Sequence, residues 1–148
     1  MDVFIRELYG RDFDNDFLET LAHLADVNLG VDEAKAIFRT RLGMGIRTYV
    51  ALEHDKVIGT ISLLVEQKFI HGGGHVGHIE DVAVHPGYVG KGVGSALVRH
   101  VIAQARKWGC YKLILSCFDD RVPFYERLGF RRYDVGMRLD LPLSEPEA

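Results

Sequence analysis

The chain has 148 residues and a net charge of −3, a size typical of one domain with a substantial buried core. This mild acidity gives no electrostatic reason to expect nucleic acid or an anionic membrane as a partner. The two cysteines lack the C-x-x-C spacing of zinc and redox sites, the first residues do not resemble a secretion signal, and no apolar run is long enough to span a bilayer. We therefore expect a protein of the reducing cytoplasm.

The N-terminal half of the chain predicts one strand, two helices and three further strands. Apolar residues at helical spacing favour the helices, whereas β-branched runs and alternation favour the strands. The predicted elements are, in order, strand 3–8, helix 12–27, helix 32–42, strands 46–52 and 57–65, and strand 76–84. The polar turn between the second and third strands predicts a hairpin. The glycine-rich segment 67–75 is expected to be a mobile loop.

The C-terminal half predicts two helices, each followed by a strand. Its elements are helix 93–108 with Gly109 as its cap, buried strand 111–117, helix 122–128 ended by Gly129, and closing strand 130–139. The full order is β-α-α-β-β-β-α-β-α-β, which predicts an α/β (α+β) sandwich with a mixed, mostly antiparallel central sheet flanked by helices. Residues 1–141 are expected to form a single domain, with 142–148 as a frayed tail.

The segment between strand 76–84 and helix 93–108 carries the most information about function. Its four glycines are Gly87, Gly90, Gly92 and Gly94. Glycine lets backbone N–H groups approach an anion closely, and the free N–H groups at a helix start carry partial positive charge. The segment therefore predicts a pyrophosphate site. Lys91 is followed by glycine rather than Ser or Thr, which argues against a nucleoside triphosphatase loop, and the glycine spacing fails the dinucleotide-binding fingerprint.

Two motifs resemble the GNAT superfamily of acetyl-coenzyme A dependent N-acetyltransferases. Val89-Gly90-Lys91-Gly92-Val93-Gly94 resembles the coenzyme A pyrophosphate loop, Q/R-x-x-G-x-G/A, with Val89 at the position of the usual Arg or Gln. Phe124-Tyr125-Glu126-Arg127-Leu128-Gly129-Phe130 resembles the signature F-Y-x-x-x-G-F. The element order is also similar. The resemblance implies acetyl-CoA as co-substrate, a bulge in strand 76–84, and an opening between this strand and 111–117 that admits the pantetheine arm.

Three further segments are similar to the glucosamine 6-phosphate N-acetyltransferases within this superfamily. They are 68–71, 77–84 and 109–117. The resemblance implies direct acetyl transfer, in a ternary complex, to the 2-amino group of glucosamine 6-phosphate, and a homodimer whose sugar sites draw on both chains. The sequence departs from that family where Ser116 replaces an acidic residue and Arg121 replaces an asparagine. The base and the identity of the amine are therefore open at this point.

The resemblance also implies roles for individual residues. The expected coenzyme-binding residues are Val82, Ala83, Val84, Val89, Gly90, Lys91, Gly92, Val93, Gly94, Ser95 and Tyr125. Tyr125 is the expected general acid for the leaving thiolate. Glu80 is assigned to the substrate side, where it holds the amine or acts as base directly or through water, and Asp81 is the second candidate. Two acids that interrupt a buried strand are costly without a partner, which favours this assignment over solvated strand-end acids.

Basic residues, one serine and the histidines supply the remaining candidates. The residues that could bind a substrate phosphate are Lys68, Lys112, Arg131 and Arg132, with Lys112 ranked first. The expected substrate-binding set is Glu80, Asp81, Lys68, Lys112 and Ser116. The clustered histidines are His71, His75 and His78. A glycine-rich loop gives them no fixed geometry, so loop roles are favoured over metal ligation, and acetyl transfer needs no metal.

Other functions stay open from the sequence alone. The acceptor could be an aminoalkylphosphonate, a polyamine, an unphosphorylated amino sugar or a peptide amine. A protein of another class, a non-catalytic acyl-CoA sensor, would keep the glycine loop and bind its ligand without turnover. Because Tyr125 is present, the sensor ranks behind an enzyme.

Overall fold

The structure of the chain is a computed structural model that describes residues 3–142. The chain divides into two units, Met1–Leu115 and Ser116–Ala148. The strands of the first unit are β1 (Phe4–Glu7), β2 (Ile46–Glu53), β3 (Lys56–Gln67), β4 (His75–Val84) and β5 (Cys110–Ile114). They form one sheet in sequence order, antiparallel except for the parallel pair β4–β5. The predicted mixed, mostly antiparallel sheet is therefore confirmed.

Helices connect these strands and cover the sheet. They are α1 (Phe17–Ala22), α2 (Val31–Gly43), α3 (Ile70–Gly73) and α4 (Val93–Lys107), with 3₁₀ helices at Gly10–Asp14 and Pro86–Tyr88. The predicted helices 32–42 and 93–108 are confirmed as α2 and α4. α3 is a single irregular turn in the glycine-rich segment, with His71 and Gly72 at positive φ of 51° and 64°.

The β2–β3 hairpin is closed by a two-residue turn. His54 and Asp55 both have positive φ, at 49° and 65°, as a type I′ connection requires. The antiparallel register runs from Glu53↔Lys56 to Ile46↔Leu64. Both predicted strands are confirmed. β3 extends beyond its apolar run because its last two residues still pair with β4.

The two faces of the sheet carry different helices. Val50 belongs to a core cluster with α1 and α2, which also contains Leu8, Phe13, Phe17, Ala34, Leu52 and Val57. Tyr49 points to the other face, where its ring contacts α4. A Cβ on Gly59 would lie 3.0 Å from Leu97 Cδ1, so glycine at this position lets α4 approach β3 closely. The predicted cap Gly109 follows α4 with a φ of 74°.

The helix predicted over 12–27 is wrong in its extent. A 3₁₀ helix comes first, and α1 begins only at Phe17, after Asp16 with a φ of 70°. A tertiary contact explains the interruption, because the Asn15 carbonyl accepts a hydrogen bond of 3.0 Å from the N–H of Val57 on β3. This carbonyl is thus bound to the sheet instead of to the next helical turn.

The strand predicted over 111–117 is wrong in its length and its burial. β5 ends at Ile114, and Tyr111 and Lys112 within it are exposed. β5 is the last strand of the described sheet and has a neighbour on one side only. An edge strand leaves one row of backbone groups and part of its side chains open to solvent.

The second unit contains one helix, α5 (Val122–Glu126), preceded by a 3₁₀ helix at Asp119–Arg121. The predicted helix 122–128 is thus confirmed but shorter, and Gly129 follows it with a φ of 99°. The closing strand predicted over 130–139 is wrong, because no strand is present within 130–142. A strand needs a neighbour for its N–H and C=O groups, and the described residues provide none for this segment. Residues 143–148 of the predicted tail lie outside the described residues.

Candidate functional site

β4 has a β-bulge at the two predicted site acids. Thr60 of β3 pairs with Ala83 of β4, and Ser62 pairs with Glu80, so one residue of β3 faces two of β4. Asp81 takes up the extra residue with a φ of 51°. The expected bulge is confirmed. Both acidic side chains are exposed, so the bulge presents two carboxylates to solvent on a strand that is otherwise largely buried.

The opposite edge of β4 opens next to this bulge. Parallel pairing between β4 and β5 ends at His78↔Ile114, although β4 continues to Val84. Within the described sheet, no strand pairs with residues 79–84 on the β5 side. This is the opening that the sequence predicted between the two strands. The predicted coenzyme contacts Val82 and Val84 are half-buried here, and Ala83 is buried.

The segment after β4 turns sharply before it enters α4. The N–H of Tyr88 donates to the His85 carbonyl at 2.8 Å, and the N–H of Lys91 donates to the Tyr88 carbonyl at 3.3 Å. Gly90 and Gly92 have φ values of 80° and 85°, a left-handed conformation that favours glycine. The predicted strand, glycine turn and helix therefore follow one another as expected.

The N–H groups along this turn and the first turn of α4 are largely unused by the protein. Those without an acceptor in the described part of the chain belong to Gly90, Gly92, Val93, Gly94 and Ser95. The first intrahelical bond is donated by Ala96 to the Gly92 carbonyl at 3.0 Å. The helix dipole adds partial positive charge at the same place. An anion is the ligand that unpaired donors at a helix start fit.

The side chains of this turn have different surroundings. Val93 is 1% exposed and fixes the start of α4 to the sheet, whereas Val89 is 66% exposed. The Lys91 ammonium lies 5.4 Å from the centroid of the Tyr88 ring. Ser95 is half-buried. Lys91 thus supplies the positive side chain of the turn, and the side chain of Val89 offers no hydrogen-bond donor.

Tyr125 lies on α5 in the second unit. Its ring contacts Phe124 and Phe130 edge-to-face, with centroid distances of 4.9 and 5.8 Å. Burial raises the pKa of Tyr125, and nearby Cys117 raises it further. The hydroxyl has no hydrogen-bond partner among residues 3–142, so it remains available to an incoming group. Ser116, in the same unit, is exposed.

The predicted basic residues differ in their charge environment. Lys68 forms an ion pair with Glu66, with Nζ and Oε2 3.2 Å apart, and the other oxygen of Glu66 is 3.0 Å from Nε2 of His78. Lys112 lies with its ammonium 5.8 Å from the centroid of the Tyr111 ring. In the second unit, Arg131 is close to Tyr133 and Arg132 to Asp119. Lys68 therefore lies in an ion pair with Glu66 at the end of β3.

The histidines take separate positions. His71 contacts the ring of Tyr111 at a centroid distance of 4.5 Å, and His75 lies in the first pair of β4 with β5. His78 is bound to Glu66. Across residues 3–142, no three His, Cys, Asp or Glu side chains are placed to hold a metal ion. The expectation of a metal-free reaction stays a prediction.

Arg41 is a site-side residue that the sequence analysis missed. Its Nη2 donates to Ser62 Oγ at 2.8 Å and to Thr48 Oγ1 at 3.3 Å. Arg41 and Asp81 line the same cavity, whose walls are mostly apolar side chains of α1 and α2. The sequence does carry a signal for this role, because Arg41 continues the apolar helical stripe of Ala34, Ile37 and Phe38. That stripe is the face of α2 that packs on the sheet.

Both cysteines are free, and Cys117 is exposed whereas Cys110 is half-buried. No helix in the described range 3–142 has the length and apolar character needed to cross a bilayer. A location in the reducing cytoplasm stays a prediction.

Comparison with known proteins assigns the chain to a family. The family described as acetyltransferase (GNAT) matches residues 4–130, which is most of the chain. The chain therefore belongs to the acetyltransferase (GNAT) family, and it is an acetyl-CoA-dependent N-acetyltransferase. The resemblance that rested on the glycine turn and the F-Y-x-x-x-G-F motif is confirmed.

Individual relatives are similar over nearly the whole length. A glucosamine 6-phosphate N-acetyltransferase of Trypanosoma brucei brucei is 40% identical over 144 residues, covering 95% of this chain and 97% of the relative. The crystal structure of a Trypanosoma brucei acetyltransferase is 41% identical with a TM-score of 0.89, covering 95% of this chain and 100% of that chain. The crystal structure of glucosamine-6-phosphate N-acetyltransferase from Arabidopsis thaliana is 29% identical with a TM-score of 0.89, covering 96% and 100%.

Proposed function

We propose that this enzyme transfers the acetyl group of acetyl-CoA to the 2-amino group of glucosamine 6-phosphate. The observation that carries the acyl-donor part is the set of unpaired N–H groups at the start of α4. The acceptor is proposed from the relatives, because a protein 40% identical over 95% of this chain is named for that activity. The exposed acids of the β4 bulge supply a place for an amine.

The coenzyme site is proposed at the opening of β4 and the turn that follows it. The diphosphate would be held by the unpaired N–H groups of Gly90 and residues 92–95, with Lys91 as a nearby cation. The N–H groups of Val89 and Lys91, which the sequence placed in the same set, instead donate to the carbonyls of Pro86 and Tyr88. The unpaired edge at 82–84 would bind the amide groups of the pantetheine arm, as a strand edge binds an extended peptide. Acetyl-CoA supplies an activated thioester, whose C–S bond breaks as the C–N bond to the amine forms. Holding both partners in place can contribute up to about 7–11 kcal/mol to such a transfer.

Glu80 is proposed as the group that binds the amine and accepts its proton, directly or through a water molecule. It lies directly opposite Ser62 in the β3–β4 register, and Ser62 is held by Arg41. Asp81 is the second candidate, because it lines the cavity that Arg41 also lines. An exposed carboxylate can take part in proton exchange with water, which suits a base that must be reset after each turnover.

Tyr125 is proposed as the general acid that donates its phenolic proton to the coenzyme A thiolate. A phenol carries its proton at neutral pH, and burial, which raises the pKa of Tyr125, favours that protonated form further. Lys112 and Ser116 are proposed to contact the sugar phosphate or its hydroxyls. Lys68, which pairs with Glu66, is a further candidate for the same contact.

A homodimer is proposed because the C-terminal segment has the pattern of a strand without a neighbour. Its alternate residues include Val135, Met137, Leu139 and Leu141, each 79–94% exposed. The residues between them are Asp134, Gly136, Arg138 and Asp140. A second copy of the chain could bury the apolar row and pair the backbone of this segment at once.

The acceptor is tested with purified enzyme, acetyl-CoA and a panel of amines, by release of the coenzyme A thiol. Glucosamine 6-phosphate should give a kcat/KM at least about tenfold above glucosamine, because a charge-assisted contact is worth roughly 1.5–3 kcal/mol. The panel also contains a polyamine, an aminoalkylphosphonate and a peptide. Thiol release with one of these alone would reassign the acceptor, and coenzyme binding without any turnover would indicate a sensor.

Replacing Tyr125 with Phe should lower kcat by about 10²–10⁴-fold, the usual contribution of a positioned acid. The dissociation constant of acetyl-CoA, measured by calorimetry, should stay within about twofold because the ring is kept. In the wild type, the raised pKa of Tyr125 means that its ionisation should not reduce the rate below about pH 10. An unchanged kcat in the variant removes the assigned role.

Glu80→Gln should lower kcat/KM for the acceptor by about 10²-fold, and Asp81→Asn should have a smaller effect, because only one carboxylate is expected to take the proton. The KM for acetyl-CoA is measured in parallel and should hardly change. Glu19→Gln, an exposed change on α1, is the control. If Asp81→Asn is the more damaging variant, the two assignments must be exchanged, and if neither matters the base is elsewhere.

The dimer is tested by sedimentation of the wild type and of Val135→Lys/Leu139→Lys. The wild type should sediment at twice the chain mass and the variant as a monomer, because two charges would be buried in the apolar row. Asp134→Lys, between the apolar positions, should leave the mass unchanged. A wild type that is monomeric at micromolar concentration contradicts the proposal.

A further inference from the structure

The segment that leads into the glycine turn forms a side-chain hydrogen bond with a residue far away in the sequence. The Tyr88 hydroxyl donates a hydrogen bond to the Glu53 carboxylate, across 35 residues of sequence. Tyr88 ends the 3₁₀ helix before the turn, and Glu53 is the last residue of β2. The bond therefore joins the turn to the hairpin end of the sheet.

Glu53 is a rigid point of attachment. It pairs with Lys56 in the last rung of the hairpin, next to the two-residue turn at 54–55. The other end of the segment is fixed nearby, because the N–H of His85 donates to the Ile58 carbonyl at 2.8 Å. Both attachments lie on the β2–β3 hairpin, so the hairpin supports the turn from two sides.

Tyr88 also contacts Lys91, the positively charged residue of the turn. Its ring lies under the Lys91 ammonium at 5.4 Å, while its hydroxyl binds Glu53. The hydrogen bond to Glu53 raises the pKa of Tyr88 and so further favours the protonated phenol that donates this bond. The ring contact and the hydrogen bond together restrain the residues on either side of Gly90.

The turn needs such a restraint. Gly90 and Gly92 have more backbone freedom than other residues would have at these positions. The unpaired N–H groups also concentrate partial positive charge at the start of α4. Val89 cannot help, because it is 66% exposed and its side chain has no polar atom. A turn that is ordered before the ligand arrives loses less entropy on binding.

We propose that Tyr88 and Glu53 form a positioning pair that holds the glycine turn ready for the coenzyme diphosphate. Neither side chain is assigned a contact with reacting atoms. The pair acts on the unpaired backbone N–H groups of Gly90 and residues 92–95, so it should control the affinity for coenzyme A and not the chemical step. This inference rests on the proposed coenzyme site.

The test is calorimetric titration of coenzyme A into the wild type, Tyr88→Phe, Glu53→Leu and the double variant. Each single change should raise the dissociation constant about three- to tenfold, because each removes the same hydrogen bond. The double variant should be no weaker than the weaker single variant, since the two changes are coupled. Glu53→Gln keeps an oxygen acceptor and should stay within about twofold of the wild type. At saturating acetyl-CoA, kcat should be unchanged throughout.

Tyr9→Phe and Glu19→Gln are matched controls, because both residues are exposed and neither side chain hydrogen-bonds within residues 3–142. Thermal unfolding of every variant checks that the fold is kept. Equal affinity of Tyr88→Phe and wild type, or additive effects in the double variant, overturns the pair. A wild type that does not take up coenzyme A overturns the proposed function itself, which separates the two failures.

Discussion

The coenzyme site that we propose depends on backbone N–H groups for which residues 3–142 supply no acceptor. They lie where α4 begins, so the orphan donors of a helix N-terminus follow directly on those of a left-handed glycine turn. Water can satisfy them while the region is open, which keeps the arrangement inexpensive in free energy. The helix itself cannot shift away, because Val93 and Leu97 are fully buried against β3. The unpaired N–H groups at the start of α4 are therefore held in place by the hydrophobic contact between α4 and β3.

β4 also combines firm support with unpaired backbone groups. On one side this strand is paired with β3 along nearly its whole length, and on the other side its pairing with β5 stops at His78. The strand is thus rigid and yet has free backbone groups. The bulge at Asp81 turns two carboxylates outward at the level of this opening. Rigid support on one edge and free hydrogen-bonding capacity on the other are what a positioned reaction between two bound molecules needs.

Prediction from the sequence succeeded where local chemistry is decisive and failed where a distant neighbour decides. The hairpin was predicted from a short polar segment between two β-branched runs, and the glycine turn and the stripe of α4 from residues that favour those conformations on their own. The helix over 12–27 failed because Asn15 bonds to Val57 instead of its own helix. The strand over 130–139 failed because alternation describes side chains, whereas a strand is made by backbone pairing. Burial of strand 111–117 failed because its apolar run does not disclose an edge position.

The sequence by itself determined that a glycine turn precedes a helix, that two acids interrupt a strand before it, and that the chain resembles N-acetyltransferases. These features are encoded within short segments, since glycine conformations and acid positions are properties of neighbouring residues. Only the tertiary structure decided that Arg41 faces Ser62 across from Glu80, and that Glu53 holds Tyr88. Those contacts join residues 21 and 35 positions apart, and no local preference fixes such pairings. They exist because burial of the core brings α2 and the hairpin to the places where the side chains of each pair meet.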